Sequence, residues 1–121
     1  KILGWKKNLD NYYKSAKIFV LSSLYEGLGN VVIDAVNFNT PVITTNCKSG
    51  PLEIVKKNKG GFIVPISNPM QIAMKILYCL KNYKIAINKA KYAKKHIYRF
   101  SEQKNSEKYL NELVKVIHEK Y

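Results

Sequence analysis

Short apolar runs separated by longer amphipathic stretches dominate the pattern of this sequence. Three runs are continuous enough to form buried strands, at residues 18–22, 41–45 and 62–65. A fourth run, at residues 1–3, fits the end of an earlier strand. Continuous apolar runs are typical of strands that are buried on both faces of a parallel sheet. The pattern therefore predicts parallel strands that are connected by helices.

Helices are predicted between these strands. The first covers residues 9–15 after a capping Asn8, and its spacing turns four residues inward: Leu9, Tyr12, Tyr13 and Ala16. A second helix, at residues 30–38, follows a glycine-bearing turn. A third begins at Pro51, with Glu53 near its positive end.

The C-terminal part of the chain is predicted to be helical. A cap followed by a proline, Asn68 and Pro69, begins a helix whose inward face comprises Ile72, Ile76, Leu77 and Leu80. A second helical run covers residues 83–98, and Ser101 caps a final helix with the apolar stripe Tyr109, Leu110, Leu113, Val114 and Ile117. We expect one α/β domain over residues 1–121, with an α/β core at 1–68 and C-terminal helices at 69–121.

The composition is typical of one globular domain. With 121 residues, of which 46% are apolar, the chain has enough material for a core. No apolar run approaches the roughly 18 residues that span a bilayer. Cys47 and Cys79 lie far apart and belong to no Cys/His cluster, so no disulfide or metal site is predicted and reduced thiols are expected.

The formal charge of +13 would attract any polyanion. It is concentrated late in the chain, where residues 81–99 include seven basic residues and no acidic one. Three interpretations are open: a solvated helix face, contact with an anionic membrane surface, and nucleic-acid binding. No RNA-recognition, KH or helix-turn-helix pattern is present, which argues against specific nucleic-acid binding.

The most informative stretch is SSLYEGLGNVVIDA, at residues 22–35. Gly27 and Gly29 allow a tight turn and the close approach of a ligand. Asn30 is placed to cap the next helix, whose dipole and N-terminal amides suit a phosphate; the amides of Leu28, Gly29, Asn30 and Val31 would form the cradle. Carboxylates at Glu26 and Asp34 could accept hydrogen bonds from sugar hydroxyls. The alternative is a strand–loop–helix junction with an exposed acid.

This stretch resembles the C-terminal, donor-binding domain of retaining GT-B glycosyltransferases of family 4, within glycosyltransferase group 1. That family, which builds capsule and lipopolysaccharide, carries a Glu, seven residues and a second Glu in a Ser-x-x-Glu-Gly-x-Gly context. Here seven residues separate Glu26 from Asp34. The resemblance continues through residues 39–45, 49–54 and 60–65. Asp34 departs from it by one missing methylene, and Thr40 replaces the usual Gly.

The resemblance implies a partial Rossmann-like fold and a role for the matched residues. Glu26 would contact the donor sugar and Asp34 the ribose of an NDP-sugar, expected to be a UDP-sugar, without a metal or another cofactor. Residues 49–51 resemble a variant found in transferases that use nucleotide-linked hexoses or N-acetylhexosamines. This segment either lines the donor cleft or only begins a helix.

The resemblance also implies a fragment that is truncated at its N-terminus. In the family, an Arg and a Lys that clamp the diphosphate, a catalytic His and the acceptor domain all precede the matched segments. We therefore expect no catalytic residue in this chain and little turnover by the chain alone. The parent would be a cytoplasmic hexosyltransferase that acts on a bacterial surface glycan or a lipid-linked acceptor, in peripheral contact with the plasma membrane.

Two other classes of function stay open. A non-catalytic remnant, or a partner subunit that completes another chain, would be unstable alone and would expose apolar surface. A basic module for membrane surfaces or nucleic acid would bind with an affinity that falls steeply with salt and does not depend on Glu26.

Overall fold

A three-stranded parallel sheet forms the centre of the protein. The structure is a computed structural model that describes residues 1–120 and the side chains of residues 1–118. Strand β1 (Phe19–Leu21) pairs with β2 (Val42–Thr45), and β2 pairs with β3 (Phe62–Val64). Val20 lies opposite Ile43 in the register of the first pair. The three strands predicted in this region are confirmed, each shortened by one residue at one or both ends.

Helices connect the strands and form the C-terminal part of the chain. They are α1 (Asp10–Ser15), α2 (Asn30–Asn37), α3 (Pro51–Ile54), α4 (Pro69–Lys81), α5 (Tyr83–His96), a 3-10 helix (Ile97–Phe100) and α6 (Glu102–Lys120). Two predicted caps accept backbone N–H groups: Asn68 from Gln71 at 3.0 Å, and Ser101 from Lys104 at 3.3 Å. The prediction that Asn8 caps α1 was wrong, because the N-cap residue is Leu9; the Asn8 side chain accepts from the Asp10 amide at 2.8 Å just before the helix. The predicted α/β class with parallel strands, flanking helices and a helical C-terminal region is thus confirmed.

Strand β2 separates two apolar clusters. All four of its residues are buried, and its successive side chains point to opposite faces of the sheet. On one face, Val42 packs in a cluster with α2, Ile54 and Ala93. On the other, Ile43 belongs to a cluster with β3 and Cys79 of α4. Full burial of an aliphatic side chain of this size contributes about 1.5–3 kcal/mol to the free energy of unfolding. Because β2 is held in the core on both faces, it provides a fixed base for the loops at its ends.

Thr40 stands where the family that this sequence resembles usually has Gly, and it has a structural role. Its buried hydroxyl donates a hydrogen bond to the backbone oxygen of Tyr13 at 2.8 Å. The Tyr13 ring in turn stacks on Phe38, with 6.0 Å between ring centroids. The substitution therefore ties α1 to the segment that leads into β2.

Two strand predictions were wrong. Residues 1–3 form no strand, and Ile2 is 98% exposed. Strand β1 is half-buried, whereas burial on both faces was predicted. Among the described residues β1 pairs with β2 alone, so it is an edge strand. A short apolar run shows that a strand is present, but its depth depends on how many neighbouring strands it has.

The inward faces of two helices are narrower than predicted. On α1, Tyr13 is buried while Leu9 and Tyr12 are exposed; on α4, Ile72 and Ile76 pack on the sheet while Leu77 and Leu80 are exposed. Helix α6 is confirmed, but all five residues of its apolar stripe are exposed. No helix within residues 1–120 combines the length and the apolar character needed to cross a bilayer.

Candidate functional site

The C-terminal ends of the parallel strands meet at one edge of the sheet. The motif loop, residues 22–29, follows β1 at this edge, and a second loop, residues 46–50, follows β2. Open α/β sheets bind their ligands in the crevice beyond this edge. The predicted site therefore lies where the topology favours a ligand.

Two serine hydroxyls hold Glu26 in the motif loop. The hydroxyl of Ser23 donates to Oε1 of Glu26 at 2.5 Å. The hydroxyl of Ser49, from the second loop, donates to the backbone oxygen of Glu26 at 2.9 Å. Oε2 of Glu26 has no hydrogen-bond partner in the described part of the chain. The carboxylate is thus oriented through one oxygen, and the other can accept a bond from a ligand.

The second loop packs directly against the motif loop. A Cβ at Gly50 would lie only 2.0 Å from the backbone oxygen of Gly27 and 2.4 Å from the carbonyl carbon of Leu28. Gly29 adopts φ +78°, and a Cβ there would lie 2.9 Å from Cγ of Pro51. Two backbones can approach this closely only where side chains are missing. Residues 49–51 therefore do more than begin a helix: they support the motif loop.

Helix α2 begins with a run of unpaired backbone donors. Gly29 is its N-cap residue, in the left-handed region, and the amide of Val32 is the first to be satisfied, donating to the Gly29 carbonyl at 2.8 Å. Across residues 1–120, no acceptor is found for the four preceding amides, those of residues 28–31. The prediction that Asn30 caps the helix was wrong, because Asn30 is already helical and its side chain makes no capping bond.

Asp34 has different surroundings from Glu26. It lies on an exposed side of α2, close enough to Asp10 and Tyr13 of α1 for their charges to interact. Partial burial raises the pKa of the Asp34 carboxyl, and the negative charge of Asp10 raises it further. Glu26 thus lies where the motif loop meets the second loop, whereas Asp34 lies where α1 meets α2.

The structure also contains a cavity that was not predicted from the sequence. An open cleft of about 850 Å³ lies between the turn that follows α3 and the start of α6. Of the predicted site residues, Leu28 alone lines it. Five cationic side chains surround it: Lys56, Lys57, Lys59, Arg99 and Lys108. We call this the basic cleft. The lysine-rich turn at residues 56–59 is the signal of this cleft in the sequence.

Both cysteine thiols are buried, and Cys79 lies in the apolar cluster that contains Ile43. Cys47 and Cys79 are both unpaired thiols, and burial raises the pKa of Cys79, which lowers its reactivity because the thiolate is the reactive form. The side chains described here include no group of three His, Cys, Asp or Glu residues that could hold a metal ion.

Comparison with known sequences identifies the family. The sequence profile described as "Glycosyl transferases group 1" matches residues 1–99. This chain belongs to that family. Among its relatives, the poly(ribitol-phosphate) alpha-N-acetylglucosaminyltransferase of Staphylococcus aureus (strain COL) is 32% identical over 96 residues, which cover 78% of this chain and 20% of the relative.

Solved structures show the same fold. A glycosyltransferase from Rickettsia africae ESF-5 superposes with a TM-score of 0.85 at 24% identity, over 97% of this chain and 32% of that one. HepE from Anabaena, solved in complex with UDP, superposes with a TM-score of 0.67 at 19% identity, over 73% of this chain and 24% of that one. The arrangement is that of GT-B glycosyltransferases. This group 1 chain spans a fifth or less of the length of the first curated relatives it matches.

Proposed function

We propose that this chain is the donor-binding part of a retaining glycosyltransferase of family 4. The parent enzyme would transfer a hexose or N-acetylhexosamine from a UDP-sugar to a bacterial surface glycan, such as capsular polysaccharide, or to a lipid-linked acceptor. One observation carries the proposal. The amides of residues 28–31 have no acceptor among the described residues, and they begin two positions after the carboxylate of Glu26.

Each part of the motif loop has a proposed role. The four amides and the positive end of α2 receive the diphosphate of the donor. Oε2 of Glu26 accepts a hydrogen bond from a sugar hydroxyl, while Ser23 holds Oε1. Asp34, further along α2, accepts from the ribose. Fixed amides that face the departing diphosphate stabilise its charge as the glycosidic bond to the donor breaks.

Two comparisons support the choice of donor. The Staphylococcus aureus relative transfers N-acetylglucosamine, according to its name, and the HepE structure contains UDP. No metal is needed for the proposed contacts, because backbone amides supply the donors. The chain alone is proposed to turn over little or nothing. The family that this sequence resembles clamps the diphosphate with an Arg and a Lys that precede the matched segments, and losing even one transition-state donor typically slows an enzyme by about 10²–10³-fold.

The parent enzyme is proposed to work in the cytoplasm, with peripheral contact to the inner face of the plasma membrane. Helix α5 exposes four lysines that could approach anionic headgroups: Lys84, Lys91, Lys94 and Lys95. Each basic residue close to such a surface contributes about 1 kcal/mol of attraction.

The Glu26→Gln variant tests the proposed sugar contact. Calorimetric titration would compare its affinities for UDP-N-acetylglucosamine and for UDP, with Glu107→Gln on α6 as the matched control. We expect Glu26→Gln to weaken binding of the UDP-sugar about tenfold, as for one lost charge-assisted hydrogen bond, and to leave UDP binding unchanged. Equal affinities for the UDP-sugar in both folded variants would overturn the assignment.

A further inference from the structure

The basic cleft concentrates positive charge outside the motif loop. Three of its cations come from the turn after α3, one from the 3-10 helix and one from α6, and the single carboxylate on its wall is Glu53. Segments that are distant in sequence thus bring like charges together. Such an arrangement is unfavourable unless an anion neutralises it.

One cation of the basic cleft is fixed in place. The guanidinium of Arg99 donates a hydrogen bond to the backbone oxygen of Glu53 and lies 4.7 Å from the centre of the Phe100 ring. A guanidinium has five N–H donors in a rigid fork, so one bond to a carbonyl leaves several for a ligand. Arg99 is therefore held where it can bind an oxyanion.

The lysines are brought to the basic cleft by an unusual turn. Lys56, Lys57 and Asn58 have φ values of +47°, +48° and +75°, a left-handed run that L-residues adopt at a cost of about 1–2 kcal/mol each. Lys89 of α5 holds this turn by donating to the backbone oxygen of Asn58. The positive field reaches beyond the cleft: burial lowers the pKa of His96, and Lys56 and Arg99 lower it further.

We propose that the basic cleft is a second anion site, for a ligand that carries two or more linked phosphate groups. Its volume of about 850 Å³ lies within the range of small-molecule sites, roughly 300–1,000 Å³. Five cations against one carboxylate match a multivalent anion, and arginine with lysine is the combination that binds phosphate oxygens. The proposal does not depend on the proposed function, because Leu28 is the one motif-loop residue that lines the cleft.

The test uses inorganic pyrophosphate and variants of equal charge. The chain is titrated with pyrophosphate by calorimetry at 100 mM salt, without UDP, because UDP also carries two linked phosphate groups and would compete for the cleft. The double variant Lys57→Gln with Lys108→Gln removes two exposed cations of the cleft, and Lys6→Gln with Lys7→Gln removes two exposed lysines that lie outside both the cleft and α5. We expect at least a tenfold loss of affinity in the first variant and less than a twofold loss in the second.

Vesicles distinguish a free phosphate compound from a lipid headgroup. Sedimentation with vesicles that contain a lipid with a diphosphate headgroup, against phosphatidylcholine vesicles, would be measured for the same variants. If the cleft variant loses vesicle binding as well as pyrophosphate binding, the ligand is a lipid headgroup. If it loses pyrophosphate binding but keeps vesicle binding, the ligand is a free phosphate compound. Equal losses in both variants, or no binding of either probe by the unmodified chain, would overturn the proposal.

Two controls keep the outcome clear. Circular dichroism melts would show that each variant folds. If the double variant of the cleft does not fold, Arg99→Lys replaces it, because this substitution keeps the charge but removes the planar fork. It should weaken pyrophosphate binding about fivefold or more, and unchanged affinity would again overturn the proposal. UDP-sugar binding that does not depend on Glu26 would count against the proposed function alone, because Glu26 does not line the basic cleft.

Discussion

The motif loop and the basic cleft share Leu28 and both present hydrogen-bond donors to an anion, but they are built differently. In the motif loop the donors are backbone amides, whose positions depend on the close packing of Gly29 and Gly50 against their neighbours. In the basic cleft the donors are the ends of long side chains, and Arg99 is hydrogen-bonded to a backbone oxygen. Ordering a lysine costs up to about 2 kcal/mol of rotamer freedom, whereas fixed amides cost none. The motif loop is therefore the better ordered site, and the basic cleft the more strongly charged one.

The largest predicted effect comes from Gly50→Ala, which disrupts the close packing between the motif loop and the second loop. A Cβ at this position would overlap the backbone of Gly27 and Leu28, so the two loops must separate. We expect a loss of about 3 kcal/mol in the free energy of unfolding, at the upper end for overpacking, together with loss of UDP binding. Urea unfolding and calorimetric titration would measure both.

Gly27→Ala is the matched control for Gly50→Ala. A Cβ at Gly27 meets no atom within 4 Å, so the folded loop accommodates it. The free energy of unfolding should change by less than about 1 kcal/mol. If the two alanine variants were equally stable and bound UDP equally well, the packing of the two loops would not support the site.

The affinities of the two sites should depend differently on the salt concentration. Affinity for pyrophosphate in the basic cleft should fall about tenfold between 50 and 200 mM NaCl, because exposed lysine charges are screened. Affinity for UDP in the motif loop should fall about threefold or less, because fixed amide donors carry more of the binding. Calorimetric titrations at the two salt concentrations would measure both changes. Equal salt dependence would remove the distinction between the two sites.

A smaller effect is expected in the lysine-rich turn of the basic cleft. Asn58 has φ +75°, and glycine adopts this conformation without a steric cost. Asn58→Gly should therefore raise the free energy of unfolding by about 0.5 kcal/mol and leave the cleft charges unchanged. Thermal melts would measure the gain. A lower melting temperature would show that the turn has a different conformation in solution.

The smallest effect is expected at Asp34, where burial and then Asp10 raise the pKa. A carboxyl with a higher pKa in the folded chain than in the unfolded chain disfavours folding when it is ionised. Stability should therefore fall as the pH rises through the interval between the two pKa values. Asp34→Asn should raise stability at pH 7 by a few tenths of a kcal/mol, because the group is exposed and solvent screens it. Thermal melts at pH 7 and pH 3 would test this: the gain should vanish at pH 3, and a gain that persists would refute the electrostatic cause.

The elements could be predicted from the sequence because their signals are local. Apolar runs predicted the three strands, and Asn68 and Ser101 marked helix starts that the structure confirms. The depth of β1 could not be predicted, because it depends on the number of neighbouring strands. The cap of α2 was misassigned because both Gly29 and Asn30 are residues that begin helices, and local chemistry does not choose between them.

The basic cleft could not be predicted because it depends on contacts between distant segments. Arg99 reaches the backbone oxygen of Glu53 across 46 positions of sequence, and no local pattern records that approach. The support of Glu26 by Ser49 spans 23 positions and was missed for the same reason. By contrast, the motif loop was found from its two glycines and Glu26 together with Asp34 of the following helix, all within nine residues.

The most direct test of the proposed donor site is a titration of the ¹⁵N-labelled chain with UDP, followed by the NMR signals of the backbone amides. We predict saturable binding in which the amides of Leu28, Gly29, Asn30 and Val31 shift at the lowest UDP concentrations, while those of Lys57 and Lys108 shift only at higher concentrations, as for a second and weaker site for linked phosphates. Saturable binding that shifts the amides of the basic cleft and leaves residues 28–31 unchanged would contradict the assignment of the sugar nucleotide to the motif loop.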